Sequence, residues 1–364
     1  MGFGGGYIAS LARLEPGLDP YLYRAETAGT VTVGKGEDGG LRVPYADIYL
    51  LFSFPNLVRK HLGFEVRVSY TLEANLKYYG LGNASTVAAG YEPSDAYFEH
   101  TRAHPTLRAT WEYRNQPFAF SWGASYTQNW FEVPAGTLLA SDMQSADPEV
   151  RALLGDARTH GAPKLSVGAA YDTRDDETSP VRGLYITEQL DVTPGTVGDV
   201  DYHFARFDAA VHGFVPLIPR DRRLVLAMRV ATDLLFGDPP FYELPRFEET
   251  FAIGGAKGVR GVPGQRYYGK VKVFSNLELR SELFSAKIFG EERRFGVVGF
   301  TDVGRLWADY NDHPELDGTG LGLKYGVGGG LRVASGQTFV LRVDVAWSPD
   351  ANPISGYLLA GHIF

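Results

Sequence analysis

The chain has 364 residues, with Gly 44, Tyr 21, Phe 22, Cys 0 and a formal net charge of −8. An acidic balance with no basic run excludes nucleic acid as a natural partner, and the lack of cysteine excludes a disulfide scaffold and thiolate metal sites. No stretch of roughly 18 uncharged apolar residues occurs, so no transmembrane helix is expected, and the first six residues have neither the charged start nor the apolar core of a secretory signal.

From the N terminus onward, apolar and polar residues alternate with period two. The runs lie near 4–13, 20–34, 42–54, 64–76, 95–113, 117–131, 164–175, 183–194, 201–216, 222–235, 269–283, 294–308, 322–334, 337–348 and 355–364. In the tenth, Leu224, Leu226, Met228, Val230 and Leu234 share one face, and Arg223, Arg229 and Asp233 the other. In the eleventh, Val271, Val273, Leu277, Leu279 and Leu283 oppose Lys272, Glu278, Arg280 and Glu282. In the fourteenth, Phe339, Leu341, Val343, Val345 and Trp347 oppose Arg342 and Asp344.

Strands of a soluble sandwich average about 5–6 residues, whereas these runs are about 10–14 long, the length a tilted strand needs to cross a bilayer. Ionised residues on the inner face are tolerable when that interior is wet. The sequence therefore predicts an all-β chain, a transmembrane antiparallel β-barrel forming one domain over 1–364. Connections alternate between long ones (77–94, 132–163, 236–268 and 309–321) and short ones such as Arg114–Pro117, Pro216–Asp221 and Ala334–Gln337. Long loops on one side and short turns on the other are an outer-membrane pattern. A short helix is expected within 132–163, capped by Asp147 with Pro148 at its first position. Fifteen strands cannot close an all-antiparallel barrel with both ends on the short-turn side. Sixteen are expected, the first lost upstream of Met1 together with a signal peptide and any periplasmic domains.

The connection 236–268 carries the glycine-dense segment Phe251-Ala-Ile-Gly-Gly-Ala-Lys-Gly-Val-Arg-Gly-Val-Pro-Gly264. A phosphate loop is disfavoured, because the lysine spacing is wrong and no helix follows. Two readings remain. One is a flexible external loop with glycines in left-handed positions. The other is a loop folded into the lumen, where Arg260 meets a carboxylate of the inner wall. Glu278 stands on the polar face of the next strand, and a guanidinium makes fixed bidentate pairs that lysine cannot.

These residues resemble the bacterial surface antigen family of outer-membrane assembly and translocation factors, the BamA/TamA type. Val259-Arg260-Gly261-Val262 looks like that family's Val-Arg-Gly-Phe/Tyr loop, with Val262 where the family has an aromatic ring. Tyr79-Gly80-Leu81-Gly82-Asn83 resembles its Gly-Leu-Gly-Asn segment. Tyr171-Asp172-Thr173-Arg174-Asp175, with Pro180 and Arg182-Gly183, resembles its Asp-Thr-Arg-Asp turn. Gly299–Arg305, Gly326–Arg332 and the terminal Phe364 are similar to its last strands. The resemblance implies a loop latch at Val259, Arg260, Gly261 and Val262 with Glu278 and Asp302 as inner-wall partners. It also implies that Phe364 is a C-terminal assembly signal. By period two, Asp302 shares a face with the apolar Phe300.

Other residues carry plainer readings. The acids Asp172, Asp175, Asp176 and Glu177 fit a solvated periplasmic turn better than a calcium site. The eight histidines show no ligand spacing along the sequence, and no nucleophile-elbow context occurs, so neither metal nor other cofactor nor enzymatic activity is expected. By resemblance the chain would sit in the bacterial outer membrane and insert or move polypeptides through a weak barrel seam. Gly2, Gly4, Gly5 and Gly6 at one end and Gly326–Gly330 near the other would either loosen pairing there or serve barrel curvature. Its partners would be outer-membrane lipids, unfolded outer-membrane or secreted polypeptides, and periplasmic accessory proteins. The alternatives are a barrel that anchors or serves as pore for an upstream passenger such as a patatin-like lipase, or a passive porin.

Overall fold

The computed structural model describes residues 3–364 except 18–20, 36–39, 59–60, 219–223, 248–249, 289, 336–338 and 351–353. Arg223, Gly2 and parts of the expected short turns at 216–221 and 334–337 therefore lie outside the described residues.

Fifteen long strands follow the chain: β1 (Phe3–Arg13), β2 (Tyr23–Lys35), β3 (Leu41–Val58), β4 (Leu62–Lys77), β5 (Glu99–Asn115), β6 (Phe118–Glu132), β7 (His160–Asp172), β8 (Gly183–Thr193), β9 (Phe204–Pro216), β10 (Leu224–Gly237), β11 (Val271–Ile288), β12 (Glu291–Trp307), β13 (Lys324–Ser335), β14 (Phe339–Trp347) and β15 (Ser355–Ala360). Each pairs antiparallel with the next in one sheet, and a two-residue piece, Val197–Gly198, joins the start of β7 as a sixteenth member. The expected runs and the strands agree closely. The last run is shorter than expected, because Gly361–Phe364 leaves the ladder.

Burial is inverted relative to a water-soluble protein. Val343 and Val345 of β14 are exposed while Asp344 between them is fully buried, and Leu277 and Leu279 of β11 are exposed while Glu278 is buried. On β6 the row Phe118, Phe120, Trp122, Tyr126 and Trp130 faces outward. An apolar, aromatic-flanked outer face with ionised groups behind it is stable against lipid and unstable against water. This follows directly from the period-two pattern: the strand backbone sends alternate side chains to opposite faces, so the sequence itself sorts lipid-facing from inward residues.

Long connections gather at one end of the sheet. They share an apolar cluster that includes Tyr78, Leu154, Tyr202, Phe241, Tyr242 and Tyr268. The connection after β6 carries α1 (Leu138–Asp142) and α2 (Pro148–Leu154). Asp147 caps α2, its side chain accepting from Glu149 N at 2.9 Å with Pro148 in the first turn, as the sequence predicts. The connection after β12 carries a single turn, α3 (Pro314–Asp317).

At the opposite end, the acids of the β7–β8 turn are spent on the turn itself. Asp175 Oδ1 accepts from Val181 N and Arg182 N, Asp176 Oδ1 accepts from Thr178 N and Ser179 N, and Asp172 pairs with Arg174 at 2.7 Å.

Because fifteen strands alternate in direction, β1 and β15 run the same way. Among the described residues no ladder joins them. Every residue of β1 is exposed.

Candidate functional site

The segment between β10 and β11 folds back along the polar face of the sheet. Its root is held by charge. Asp233 on β10 pairs with Arg206 at 3.1 Å and with Lys272 at 2.7 Å, all three buried. Lys272 Nζ also donates to Leu244 O, and Arg206 pairs with Glu243 at 2.9 Å. Burial, the largest influence on Glu243, disfavours its charge, but Arg206, Lys164, Arg102 and Arg246 outweigh it and hold the carboxyl down at about 2.

At the tip of the segment, residues 258–262 are buried. Arg260 is 0% exposed. Its Nε and Nη2 donate to the two oxygens of Asp302 at 2.7 and 2.9 Å, a bidentate pair. Nη1 donates to Glu278 at 2.6 Å and to Asp344 at 3.1 Å, and the Arg260 backbone N–H reaches Asp302 at 3.0 Å. A buried guanidinium is tolerable only when its donors are met and its charge is balanced. Here three acids from β11, β12 and β14 converge on it. The acids are in turn shared with wall arginines: Arg280 donates to Glu278 at 2.8 Å, and Arg332 pairs with Asp344.

Glu278 and Asp302 therefore both contact Arg260, while Asp344 is a third partner that sequence reasoning did not assign. Phe300 explains the shared face with Asp302. It points inward, and the Arg260 guanidinium lies over its ring, 3.5 Å from the centroid. Val259 and Val262 are fully buried, packed with Ile253, Phe274 and Leu306. Gly261 takes φ +94°, a left-handed conformation that favours glycine, and its N–H donates to Tyr357 Oη on β15 at 2.9 Å.

The rest of the tip is gripped through its backbone. The carbonyls of Ala256 and Gly258 accept from Arg342 Nη2 (2.9 Å) and Asn276 Nδ2 (2.8 Å), and that of Lys257 accepts from Arg229. Three inward positions of β13 are glycine, and each leaves room for this cluster. A Cβ at Gly326 would collide with the Arg260 carbonyl, one at Gly328 with the Phe300 ring, and one at Gly330 with the Asp344 carboxylate. β13 nevertheless keeps continuous register with both neighbours, so these glycines make a trough rather than a break in pairing.

Phe364 also turns inward. Its carbonyl accepts from Arg280 Nη2 at 3.2 Å, and its ring meets His212 (5.6 Å between centroids) and the Arg229 and Arg280 guanidiniums. The Tyr79–Asn83 segment docks the root instead: Gly82 N donates to Tyr268 O at 2.8 Å, and Asn83 reaches Asp317 and Gly322. Over β3–β8 the polar face stays open, with cavities of about 320 and 490 Å³ lined by Glu65, Arg108, Glu112, Arg114 and Glu188 among others.

A family model described as the Omp85 superfamily domain matches residues 32–355. Among solved structures, BamA from Haemophilus ducreyi lacking POTRA domains 1-3 is similar at TM-score 0.61 and 14% identity, over 99% of this chain and 70% of that one. CdiB from Escherichia coli is similar at TM-score 0.59 and 14% identity, over 98% of this chain and 59% of that one. No curated protein sequence matches. At such identities the structural likeness speaks for the fold, an outer-membrane type of β-barrel. The family model, which takes in β3 to β14 and the whole Arg260 segment, speaks for descent: the chain belongs to the Omp85 superfamily.

Proposed function

We propose that the protein is a bacterial outer-membrane barrel that inserts or passes polypeptides, in the manner of BamA and TamA, by offering the edge of its sheet to a client strand. The observation that carries this reading is β1. It is an eleven-residue strand, exposed throughout, that ends the strand order among the described residues and so forms an edge of the described sheet, with apolar Tyr7, Ile8 and Leu11 along it. Such an edge is a template for β-augmentation. Outer-membrane lipids cover the outward apolar rows, and periplasmic accessory proteins fit the short-turn side.

The segment around Arg260 acts as a latch in this proposal. It fills the polar face over β9–β14 and, through Gly261 and Tyr357, touches the strand at the other side of the seam. A passive pore is the second reading, favoured by the open cavities over β3–β8.

Photo-crosslinking separates these readings. With a crosslinking residue at Ile8 or Leu358, nascent outer-membrane or secreted polypeptides are expected to be captured in cells, and with one at the outward Leu190 of β8 they are not. Equal capture at all three positions would remove the edge mechanism. A steady large conductance from the purified protein in planar bilayers would favour the pore.

A further inference from the structure

We propose a divalent transition-metal site, with zinc the fitting ion, built by Glu149, His313 and Glu315 across two of the long connections. One ligand atom from each residue lies within 4.8 Å of the others. These residues are 166 positions apart at their widest, 149 to 315, so no spacing along the sequence reveals them.

The geometry is that of a coordination shell more than of an ion-pair cluster. His313 Nδ1 stands 3.4 Å from Glu149 Oε2 and 3.3 Å from Glu315 Oε1. Charge-assisted N–H···O bonds run about 2.7–2.9 Å, so both separations are long for direct pairing. Zinc binds imidazole nitrogen and carboxylate oxygen at about 2.0–2.2 Å, and two ligands of a tetrahedron of that size stand about 3.4 Å apart. One imidazole edge therefore faces two carboxylates at the spacing that a central ion imposes.

The second observation is the ring itself. His313 is 7% exposed, yet its Nδ1 is turned toward the two carboxylates, whose side chains are 65% and 62% exposed. A buried, oriented nitrogen with two exposed carboxylates before it leaves the fourth position to water.

The backbones carrying the three ligands are fixed independently of any ion. Asp147 caps α2 just before Glu149, and the His313 carbonyl accepts from Leu316 N (3.0 Å) and Asp317 N (2.8 Å). Val150 and Leu316 pack against the same apolar cluster of connections. An ion here would tie the α2 connection to the α3 connection, stiffening the loop end of the barrel.

The test uses the full chain in detergent micelles, freed of metal by chelator. Zinc titrated by calorimetry is expected to bind saturably with one ion per chain, and cobalt to give the intense visible bands of a tetrahedral site. His313→Ala should weaken zinc binding by more than about tenfold, as loss of a direct ligand exceeds the effect of a supporting one. The double variant Glu149→Gln/Glu315→Gln, which alters only exposed groups, should do the same with an unchanged thermal transition. His203→Ala, at an exposed histidine paired with Asp201, should bind zinc as the unaltered chain does. The proposal is overturned by unsaturable zinc binding, by equal affinity in the double variant, or by loss of binding in His203→Ala.

Discussion

The Arg260 guanidinium lies over the Phe300 ring at 3.5 Å from its centroid, while Asp302, two residues further along the same strand, takes its Nε and Nη2. One strand thus supplies both the face and the edge of the arginine's binding site. Period two makes this possible, since residues two apart on a strand point the same way. The pair also fixes the arginine's orientation, leaving Nη1 free to bridge to β11 and β14.

Removing the arginine leaves the buried Asp302 without its bidentate partner and takes one donor each from Glu278 and Asp344. Arg260→Ala is expected to cost about 3–5 kcal/mol in equilibrium unfolding in micelles, the range for breaking a buried pair. It should also make the bonds around residues 250–265 cleavable by added protease. Arg260→Lys should recover little, because a point charge cannot make the bidentate contact. Asp302→Ala added to Arg260→Ala should cost little more than the worse single change, whereas additive losses would mean that the two do not interact.

Gly326 and Gly299 provide a matched pair of substitutions. A Cβ at Gly326 would meet the Arg260 carbonyl, whereas one at Gly299 on the neighbouring strand meets nothing within 4 Å. Gly326→Ala is expected to displace the tip and expose it to protease, at a cost of about 1–3 kcal/mol for overpacking. Gly299→Ala should be silent in both assays. Equal behaviour of the two variants would show that the tip does not depend on the trough.

Glu243 should give the root of the segment a dependence on acid. Its folded value of about 2 lies below the ordinary 4.5, so its ionised form is the one the fold favours. That contribution is complete above about pH 5 and is lost as pH falls toward 2, and the shift corresponds to about 3 kcal/mol. Thermal unfolding in micelles should show this loss between pH 5 and 3. Glu243→Gln should be less stable at pH 7 and lose less stability over the same interval than the unaltered chain.

Asp317 joins two connections, accepting from Asn83 N at 3.1 Å and from Ala308 N at 3.0 and 3.1 Å. Asp317→Ala leaves two buried amides without acceptors, at about 1–3 kcal/mol each. Hydrogen exchange at Asn83 and Ala308 should accelerate while exchange in β9–β12 stays slow. If both regions accelerate together, the connections do not open independently of the barrel.

Strand positions were legible in the sequence because lipid demands an apolar outer row and the backbone repeats every two residues. Leu277, Glu278 and Leu279 show this in three letters. The capped helix after Asp147 was legible for a similarly local reason. Partners across the lumen were not. Asp344 sat visibly on an inward face, yet nothing local says that its carboxylate meets Arg260 as well as the adjacent Arg342, because that depends on barrel curvature and on the path of the intervening segment. The role of the β13 glycines was hidden for the same reason: a missing side chain announces space and not its occupant. The inward turn of Gly361–Phe364 was also unreadable, since Tyr357–Phe364 carries the alternation of a strand to its end.

The wall holds residues 256–258 by their carbonyl oxygens and not by their side chains. Lys257 is exposed between two buried stretches. Its identity is thus chemically free while its location is fixed, which makes it a natural attachment point for a reporter. With Cys 0 in the chain, Lys257→Cys would carry the sole thiol, and a dye placed there would read the position of this segment in single molecules while leaving the grip on it intact.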